Sequence, residues 1–333
     1  MDCVILAAGK GTRMKSSTPK VLHEIGGRTL IEHLLGSIDP LELTRVILVI
    51  GYKEKLVRDS LSGWEVDFSV QEEQRGTAHA LQQAKGKLES DSFLVVPGDL
   101  PLVTSSSLKE FIKFGTEKQD TIISLLTVRR EDPGGYGRIK RDEAGNVREI
   151  IEEQDATEEE KKIKEVNAGI YLLQNRKEIW RELSSIDSAN AQGEFYLTDL
   201  IKRFSGRKEG VAAFKTNDPE ELIGVNTRKD LSFAGKVLNR RKMNSLFASG
   251  VTVIDPESTI VESQVEIERD SVIAPFTTIR GNTTIGPNSR IGPNVEIVDG
   301  RIGADVEISH AVVKGATVRD NRTVEPFSIL GSN

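Results

Sequence analysis

The chain has 333 residues, with 45 Lys and Arg against 51 Asp and Glu, a formal charge of −6, and 37% apolar but only 5% aromatic residues. This length holds about two domains of ~100–200 residues, and the composition excludes a membrane-embedded or wholly disordered chain in favour of a globular protein with an aliphatic core. The acidic balance argues against a general nucleic-acid or membrane-surface binder, which would carry a basic surface. Cys3 is the single cysteine and can form no internal disulfide or cysteine metal site. His23, His33, His79 and His310 fall into no H-x-x-x-H or H-x-x-H spacing, so a zinc centre is not expected. The opening MDCVILAAG lacks a basic segment and a long apolar stretch, unlike a secretory leader. No apolar run approaches the ~18 residues of a membrane span. A cytoplasmic location is expected, with no membrane insertion and no nucleic-acid partner.

In chain order, short apolar runs alternate with helical patterns. The runs are Val4–Leu6, Arg45–Gly51, Val66–Val70, Phe93–Asp99 and Thr121–Val128. They are β-branched and nearly continuous, as in strands buried on both faces. Between them Leu30–Ile38, Lys53–Leu61, Thr77–Leu88 and Ser106–Phe114 read as helices. This alternation predicts an α/β unit of βαβ type on a mainly parallel sheet. Further on, Gly137–Arg141, Val147–Glu153 and Val166–Gln174 read as strands and Tyr196–Phe204 as a helix. Arg228–Phe247 reads as one polar connecting helix.

From Val251 the texture changes. Ile267, Ile273, Ile279, Ile285, Ile291 and Ile297 recur every six residues, the register slips by one to Ile302 and Ile308, and a further slip leads to Val313, Val318 and Val324. A period of six belongs neither to an ordinary strand nor to a helix. It is the hexapeptide repeat of a parallel β-helix, in which each isoleucine points inward and three hexads close one triangular coil. The expected organisation is a domain at 1–227, a linker helix at 228–250 and a β-helix at 251–333.

Leu6-Ala-Ala-Gly-Lys-Gly-Thr-Arg-Met14 follows the first strand. Small residues let backbone N–H groups approach a ligand closely, as phosphate-binding loops do. The run is neither a G-x-x-x-x-G-K-[ST] loop nor a G-x-G-x-x-G fingerprint, because Met14 stands where the last Gly belongs. Lys10, Arg13, Lys15 and Lys20 face only Asp2 within the first twenty residues. An acidic chain that gathers cations on a glycine loop is expected to bind an anion there.

LAAGKGTRM followed by Pro19-Lys20-Val21-Leu22 resembles the signature of the sugar-1-phosphate nucleotidyltransferases. The resemblance extends along the chain through Gln71…Gln74-Arg-Gly-Thr-Ala-His79, Pro97-Gly-Asp-Leu-Pro-Leu102, Gly135-Tyr-Gly-Arg-Ile139, Ile151-Glu-Glu-Gln-Asp-Ala156, Val166-Asn-Ala-Gly-Ile170, Asn190-Ala-Gln-Gly-Glu-Phe-Tyr-Leu-Thr-Asp199 and Gly224-Val-Asn226. Within that family it is similar to the N-acetylglucosamine-1-phosphate uridylyltransferases, the pyrophosphorylase part of bifunctional uridylyltransferase/acetyltransferases. The resemblance implies a Rossmann-like nucleotidyltransferase domain followed by a short left-handed β-helix. It also implies a homotrimer formed through that β-helix, and a role in supplying peptidoglycan and lipopolysaccharide precursors. Pro97 departs from the family, which often has Tyr or Cys before Gly-Asp. The chain also stops at Asn333, before the coils that carry the family's acetyltransferase site, so acetyl transfer is not expected of it.

The implied reaction joins UTP and N-acetylglucosamine 1-phosphate to give UDP-N-acetylglucosamine and pyrophosphate. Such in-line transfer needs charge neutralisation and alignment more than a side-chain nucleophile. By resemblance, Arg13 and Lys20 are the catalytic cations. Leu6, Ala7, Ala8, Gly9, Lys20, Gln71, Gly76 and Thr77 contact the nucleotide, and Gly137, Glu152, Asn167 and Asn226 contact the sugar. Asp99 and Asn226 are the implied ligands of Mg²⁺, a hard cation that takes few protein oxygens. Asp99 follows a buried strand, at the carboxyl edge where doubly wound sheets bind ligands. Gln71 carries both a donor and an acceptor, which suits the imide edge of uracil. His79 and Cys3 read as structural. Other readings are a mannose-1-phosphate guanylyltransferase or glucose-1-phosphate nucleotidyltransferase, a non-catalytic β-helix assembly subunit, and an acyltransferase. NAQGEFYLTD argues for N-acetylglucosamine, the presence of Arg13, Lys20 and Asp99 argues against a non-catalytic subunit, and His310 as the sole repeat histidine argues against acyl transfer.

Overall fold

The apolar runs of the N-terminal part become the strands of one mixed sheet. The computed structural model describes residues 1–118, 120–207 and 209–331; the last residues of the expected β-helix range, Ser332 and Asn333, lie outside the described residues, as do Gln119 and Lys208. By contacts the chain forms two units, Met1–His23 with Thr29–Asp230, and Glu24–Arg28 with Leu231–Asn333.

In the first unit the strands are β1 (Asp2–Leu6), β2 (Arg45–Ile50), β3 (Asp67–Val70), β4 (Ser92–Pro97), β5 (Thr121–Arg129), β6 (Arg138–Arg141), β7 (Val147–Ile151), β8 (Glu165–Gln174) and β9 (Gly210–Thr216). They lie in the order β9-β5-β8-β4-β1-β2-β3, with the β6–β7 hairpin joined to β8. β4, β1, β2 and β3 run parallel, as does β9 with β5. β8 is antiparallel to β4, β5 and β6, because the hairpin before it reverses the chain.

The helices are α1 (Leu30–Ile38), α2 (Glu54–Ser60), α3 (Thr77–Ala84), α4 (Ser105–Glu117), α5 (Lys177–Ser184), α6 (Asp199–Phe204) and α7 (Arg228–Ala248), the last beginning in the first unit and continuing in the second. Successive strand residues feed two cores. Cys3, Ile5, Leu48 and Ile50 pack with α1, α2 and α4, while Val4, Ile47 and Val49 pack with α3, α5 and α6. Burial on both faces is why these strands read as unbroken apolar runs rather than as alternation. Thr29 and Glu32 form a reciprocal capping box that starts α1. Two of these elements have no counterpart in the sequence reading. α5 is two turns long and offers only Ile179, Trp180 and Leu183 as apolar spacing, and β9 is a half-buried edge strand.

The departure at Pro97 has a structural account. β8 shifts register between Asn167 and Tyr171, and Gly169 in that bulge has φ 76°. A Cβ at Gly169 would lie 2.7 Å from the Pro97 ring. Proline has no N–H for a ladder bond, and the pairing of β4 with β8 ends at Val95 and Tyr171, two residues before it.

In the second unit, strands of two or three residues stack into three parallel sheets of five, five and four strands. Ile273, Ile291, Ile308 and Val324 form one inward stack, and Ile267, Ile285, Ile302 and Val318 another. All eight are buried. Val272 pairs with Arg290, Arg290 with Glu307 and Glu307 with Thr323, so successive coils take 18, 17 and 16 residues. The register slips of the sequence are therefore shortened corners, and the inward stacks pass through them without a break. Thr277, Thr283 and Ser289 are buried at other corners, where their hydroxyls donate to the carbonyls of Ala274, Arg280 and Gly303. Among the described residues no helix is long and apolar enough to cross a membrane.

Candidate active site

Parallel strands deliver their carboxyl ends to one edge, and the segments leaving β1, β4, β2 and β3 meet there. Ala7 N–H donates to Val49 O, Gly98 N–H to Leu6 O and Tyr52 N–H to Ala8 O. The loop after β1 turns through Gly11 at φ 64° into a short 3-10 turn, Thr12–Met14. Met14, 1% exposed, anchors that turn in the core. The residue that excluded a dinucleotide fingerprint thus acts as a hydrophobic pin. A Cβ on Gly11 would stand 2.7 Å from Lys20 Cβ, so glycine there lets the lysine stem cross the loop. Pro19 opens a second 3-10 turn, Lys20–Leu22, whose Val21 is buried and leaves Lys20 directed at the edge.

Four of the sequence-derived residues come together. Lys20 Nζ pairs with Asp99 Oδ2 and donates to Asn226 Oδ1 at 3.0 Å. Arg13 Nη2 donates to the same Asn226 oxygen at 3.0 Å. Asp99 arrives directly after β4, and its carbonyl accepts the Val225 N–H. Asn226 stands just before α7, where Asp230 accepts the backbone N–H groups of Asn226 and Thr227 while Thr227 Oγ1 accepts the Asp230 N–H. Capping thus accounts for the backbone of this segment and leaves the Asn226 side chain to the site. Sequence reasoning missed Tyr136, whose hydroxyl accepts the Gly224 N–H at 3.3 Å and so braces the Gly224–Asn226 turn. Burial pushes its phenol up.

Gln71 follows β3 and is 3% exposed. Its Nε2 lies 3.1 Å from Gly76 O and 3.0 Å from His79 Nδ1. Both amide N–H groups are thus engaged inside the protein, a correction to the expectation that Gln71 offers a donor as well as an acceptor. Gly76 has φ 112°, and a Cβ there would strike the Phe195 backbone at 2.6 Å. Thr77 Oγ1 accepts the Leu197 N–H. The NAQGEFYLTD segment therefore lies directly against the Gly76–Thr77 turn.

Gly137, Glu152 and Asn167 form a separate group on β8 and the β6–β7 hairpin. Asn167 N–H donates to Gly137 O, Asn167 Nδ2 donates to Tyr171 Oη at 2.7 Å, and the Gly169 N–H donates to Asn167 Oδ1. Glu152 Oε1 accepts from Thr198 Oγ1 at 2.9 Å. Burial raises Glu152 above the usual carboxylate range, the Thr198 hydroxyl opposes this, and the negative charges of Asp155, Asp199 and Glu194 add to it. Burial likewise raises Glu194 and Asp199. Thr198 stands within the NAQGEFYLTD run but, like Tyr171, was assigned no role of its own from sequence. Cys3 is fully buried, and burial pushes its thiol far up, which suits a packing role.

Among the described residues no group of three or more His, Cys, Asp and Glu gathers to hold a metal ion. What the site does offer is two oxygens, Asp99 Oδ2 and Asn226 Oδ1, converging on one cationic atom, Lys20 Nζ. A donor pair already arranged around a positive charge fits a hard divalent cation that completes its shell from phosphates and water.

The MobA-like NTP transferase domain model matches residues 3–164, and the bacterial transferase hexapeptide model, of six repeats, matches residues 264–299. Together they define a nucleotidyltransferase carrying a hexapeptide β-helix. The chain is 40% identical to the bifunctional protein GlmU of Syntrophomonas wolfei subsp. wolfei over 331 residues, covering 99% of this chain and 73% of that one. It is 40% identical to the bifunctional protein GlmU of Brevibacillus brevis over 342 residues, covering 100% of this chain and 73% of that one. The chain belongs to the GlmU family. Solved structures show the same fold. A putative glucose-1-phosphate thymidylyltransferase from Bacillus anthracis, in complex with a sucrose, superposes with TM-score 0.59 at 19% identity, over 71% of this chain and 94% of that one. HddC from Yersinia pseudotuberculosis, complexed with GMP-PN, does so with TM-score 0.53 at 24% identity, over 71% and 98%. The activity of the chain is uridylyl transfer from UTP to N-acetylglucosamine 1-phosphate.

Proposed function

We propose that Arg13, Lys20, Asp99 and Asn226 are the reacting centre of this transfer. The observation that carries the reading is the convergence of Asp99 Oδ2 and Asn226 Oδ1 on Lys20 Nζ at the carboxyl edge of the parallel strands. Leu6, Ala7, Ala8 and Gly9 line the nucleotide with backbone, together with Lys20, Gln71, Gly76 and Thr77. Gly137, Glu152, Asn167 and Asn226 orient the sugar phosphate. Catalysis is assigned to residues 1–227 and assembly to 251–333, with 228–250 as the linking helix.

In the reaction a phosphate oxygen of N-acetylglucosamine 1-phosphate forms a bond to the α-phosphorus of UTP while the bond from that phosphorus to pyrophosphate breaks. No proton or electron is gained or lost. Arg13 and Lys20 hold the triphosphate and balance the charge that collects on the α-phosphate and the departing pyrophosphate, contacts worth most in a preorganised site. Asp99 and Asn226 would hold Mg²⁺, which supplies further neutralisation of the phosphate oxygens when bound. Alignment of the two phosphates makes the encounter effectively intramolecular.

The test is pyrophosphate release from UTP and N-acetylglucosamine 1-phosphate, with Mg²⁺ and with chelator. ATP, GTP and dTTP, and mannose 1-phosphate and glucose 1-phosphate, serve as competitors. UTP with N-acetylglucosamine 1-phosphate is expected to exceed every other pair. Equal turnover of GTP with mannose 1-phosphate would overturn the pocket assignments. The β-helix is assigned to homotrimer formation, and light scattering at micromolar concentration reads it. A cytoplasmic location follows from where UTP is available.

A further inference from the structure

The contacts of Gln71 determine more than its position. A backbone carbonyl only accepts, so the 3.1 Å contact with Gly76 O fixes which end of the Gln71 amide is nitrogen. The second N–H then points at His79 Nδ1, 3.0 Å away. That ring nitrogen must be the unprotonated one, with the imidazole proton on Nε2. With both N–H groups satisfied by the protein, Oε1 is what this side chain presents to a base. The pairing edge of uracil carries one donor, N3–H, between two carbonyls. An acceptor-only amide therefore meets N3–H, whereas cytosine has a lone pair at N3 that would face Oε1 without a proton between them.

We propose that His79 is a specificity-determining positioning residue: by accepting from Gln71 Nε2 it holds the amide with its oxygen toward the base, which selects uracil over cytosine. The inference rests on the reading of Gln71 as a base contact. His79 occupies the first turn of α3 and is only half-buried, so its side chain is not needed to fill the core. The histidine read from sequence as structural thereby acquires a role in the chemistry, exerted through Gln71.

The experiment compares kcat/KM for UTP and for CTP, both with N-acetylglucosamine 1-phosphate and Mg²⁺, in wild type, His79→Ala, His79→Asn and Gln71→Ala, with folding checked by circular dichroism. His79→Ala removes the acceptor and is expected to lower the UTP:CTP ratio about three- to tenfold, the scale of one net hydrogen bond. The loss should appear chiefly in KM for UTP. His79→Asn can place Oδ1 where Nδ1 stood and is expected to restore most of the ratio. An equal fall for both nucleotides in His79→Ala, or an unchanged ratio there while Gln71→Ala loses it, would overturn the role of His79 and leave the base contact standing. An unchanged ratio in Gln71→Ala would overturn both.

Discussion

Arg13 and Asn226, separated by 213 positions in the chain, meet through a 3.0 Å hydrogen bond from Arg13 Nη2 to Asn226 Oδ1. Lys20 Nζ donates to the same oxygen. One amide oxygen thus gathers two cations, and the only carboxylate paired with them among the described residues is Asp99. The edge is left with a surplus of positive charge, which is what a triphosphate requires.

Removing the charges tests that arrangement. Asp99→Asn is expected to fold normally and lose most activity, because a neutral amide binds a divalent cation poorly. Lys20→Ala and Arg13→Ala are each expected to lose about 10²-fold or more in kcat/KM, the scale of one transition-state charge contact. Near wild-type turnover by Asp99→Asn at ordinary Mg²⁺ levels would refute its assignment.

Gly11→Ala probes the path of the lysine stem. The new Cβ would meet Lys20 Cβ at 2.7 Å on a backbone held at φ 64°. The left-handed conformation alone costs an L-residue about 1–2 kcal/mol, and relief of the clash must displace Lys20. Lower thermal stability together with a kcat/KM loss approaching that of Lys20→Ala is expected; loss of stability with unchanged kinetics would separate the loop from the lysine.

Glu152→Gln is expected to exchange function for stability. A carboxyl whose folded pKa lies above its unfolded value keeps its proton longer in the folded state. Stability is then lost as pH rises from the ordinary carboxylate range through the raised value. Glutamine stays neutral and still accepts from Thr198 Oγ1. The variant is therefore expected to melt above wild type at neutral pH, with the gap closing once acid protonates Glu152 in both states. Its KM for N-acetylglucosamine 1-phosphate is expected to rise. A melting difference that is the same at pH 3 and pH 8 would show that charge is not the cause.

In the β-helix, Ile291→Ala opens a cavity in the Ile273–Ile291–Ile308 stack, where the side chain is fully buried. A loss of about 2–5 kcal/mol is expected, read by chemical denaturation. Ser263→Ala, at an exposed turn where the hydroxyl donates to Gln264 Oε1, is the control and is expected to change stability little. Equal effects of the two would mean that the stack is not the core.

Periodicity alone determined the division of the chain into an α/β part and a hexapeptide β-helix, because burial imposes its repeat directly on the sequence. Continuous Val/Ile runs such as Val46–Ile50 and the six-residue spacing from Ile267 to Ile297 are what a strand buried on both faces and a triangular coil each demand. The glycine loop with Arg13 and Lys20 was legible for a similar reason, since close backbone approach and local positive charge are written in adjacent residues. Tertiary structure alone decided the rest. That Arg13 and Lys20 share one oxygen of Asn226 depends on strands β1 and β4 and the cap of α7 ending at one edge. β9 could not be read because an edge strand is only half-buried, and α5 because two turns hold too few apolar positions to show a helical period. The orientation of the Gln71 amide depended on a carbonyl at Gly76 and a ring nitrogen at His79, and no residue type reveals which end of its own amide the fold will satisfy.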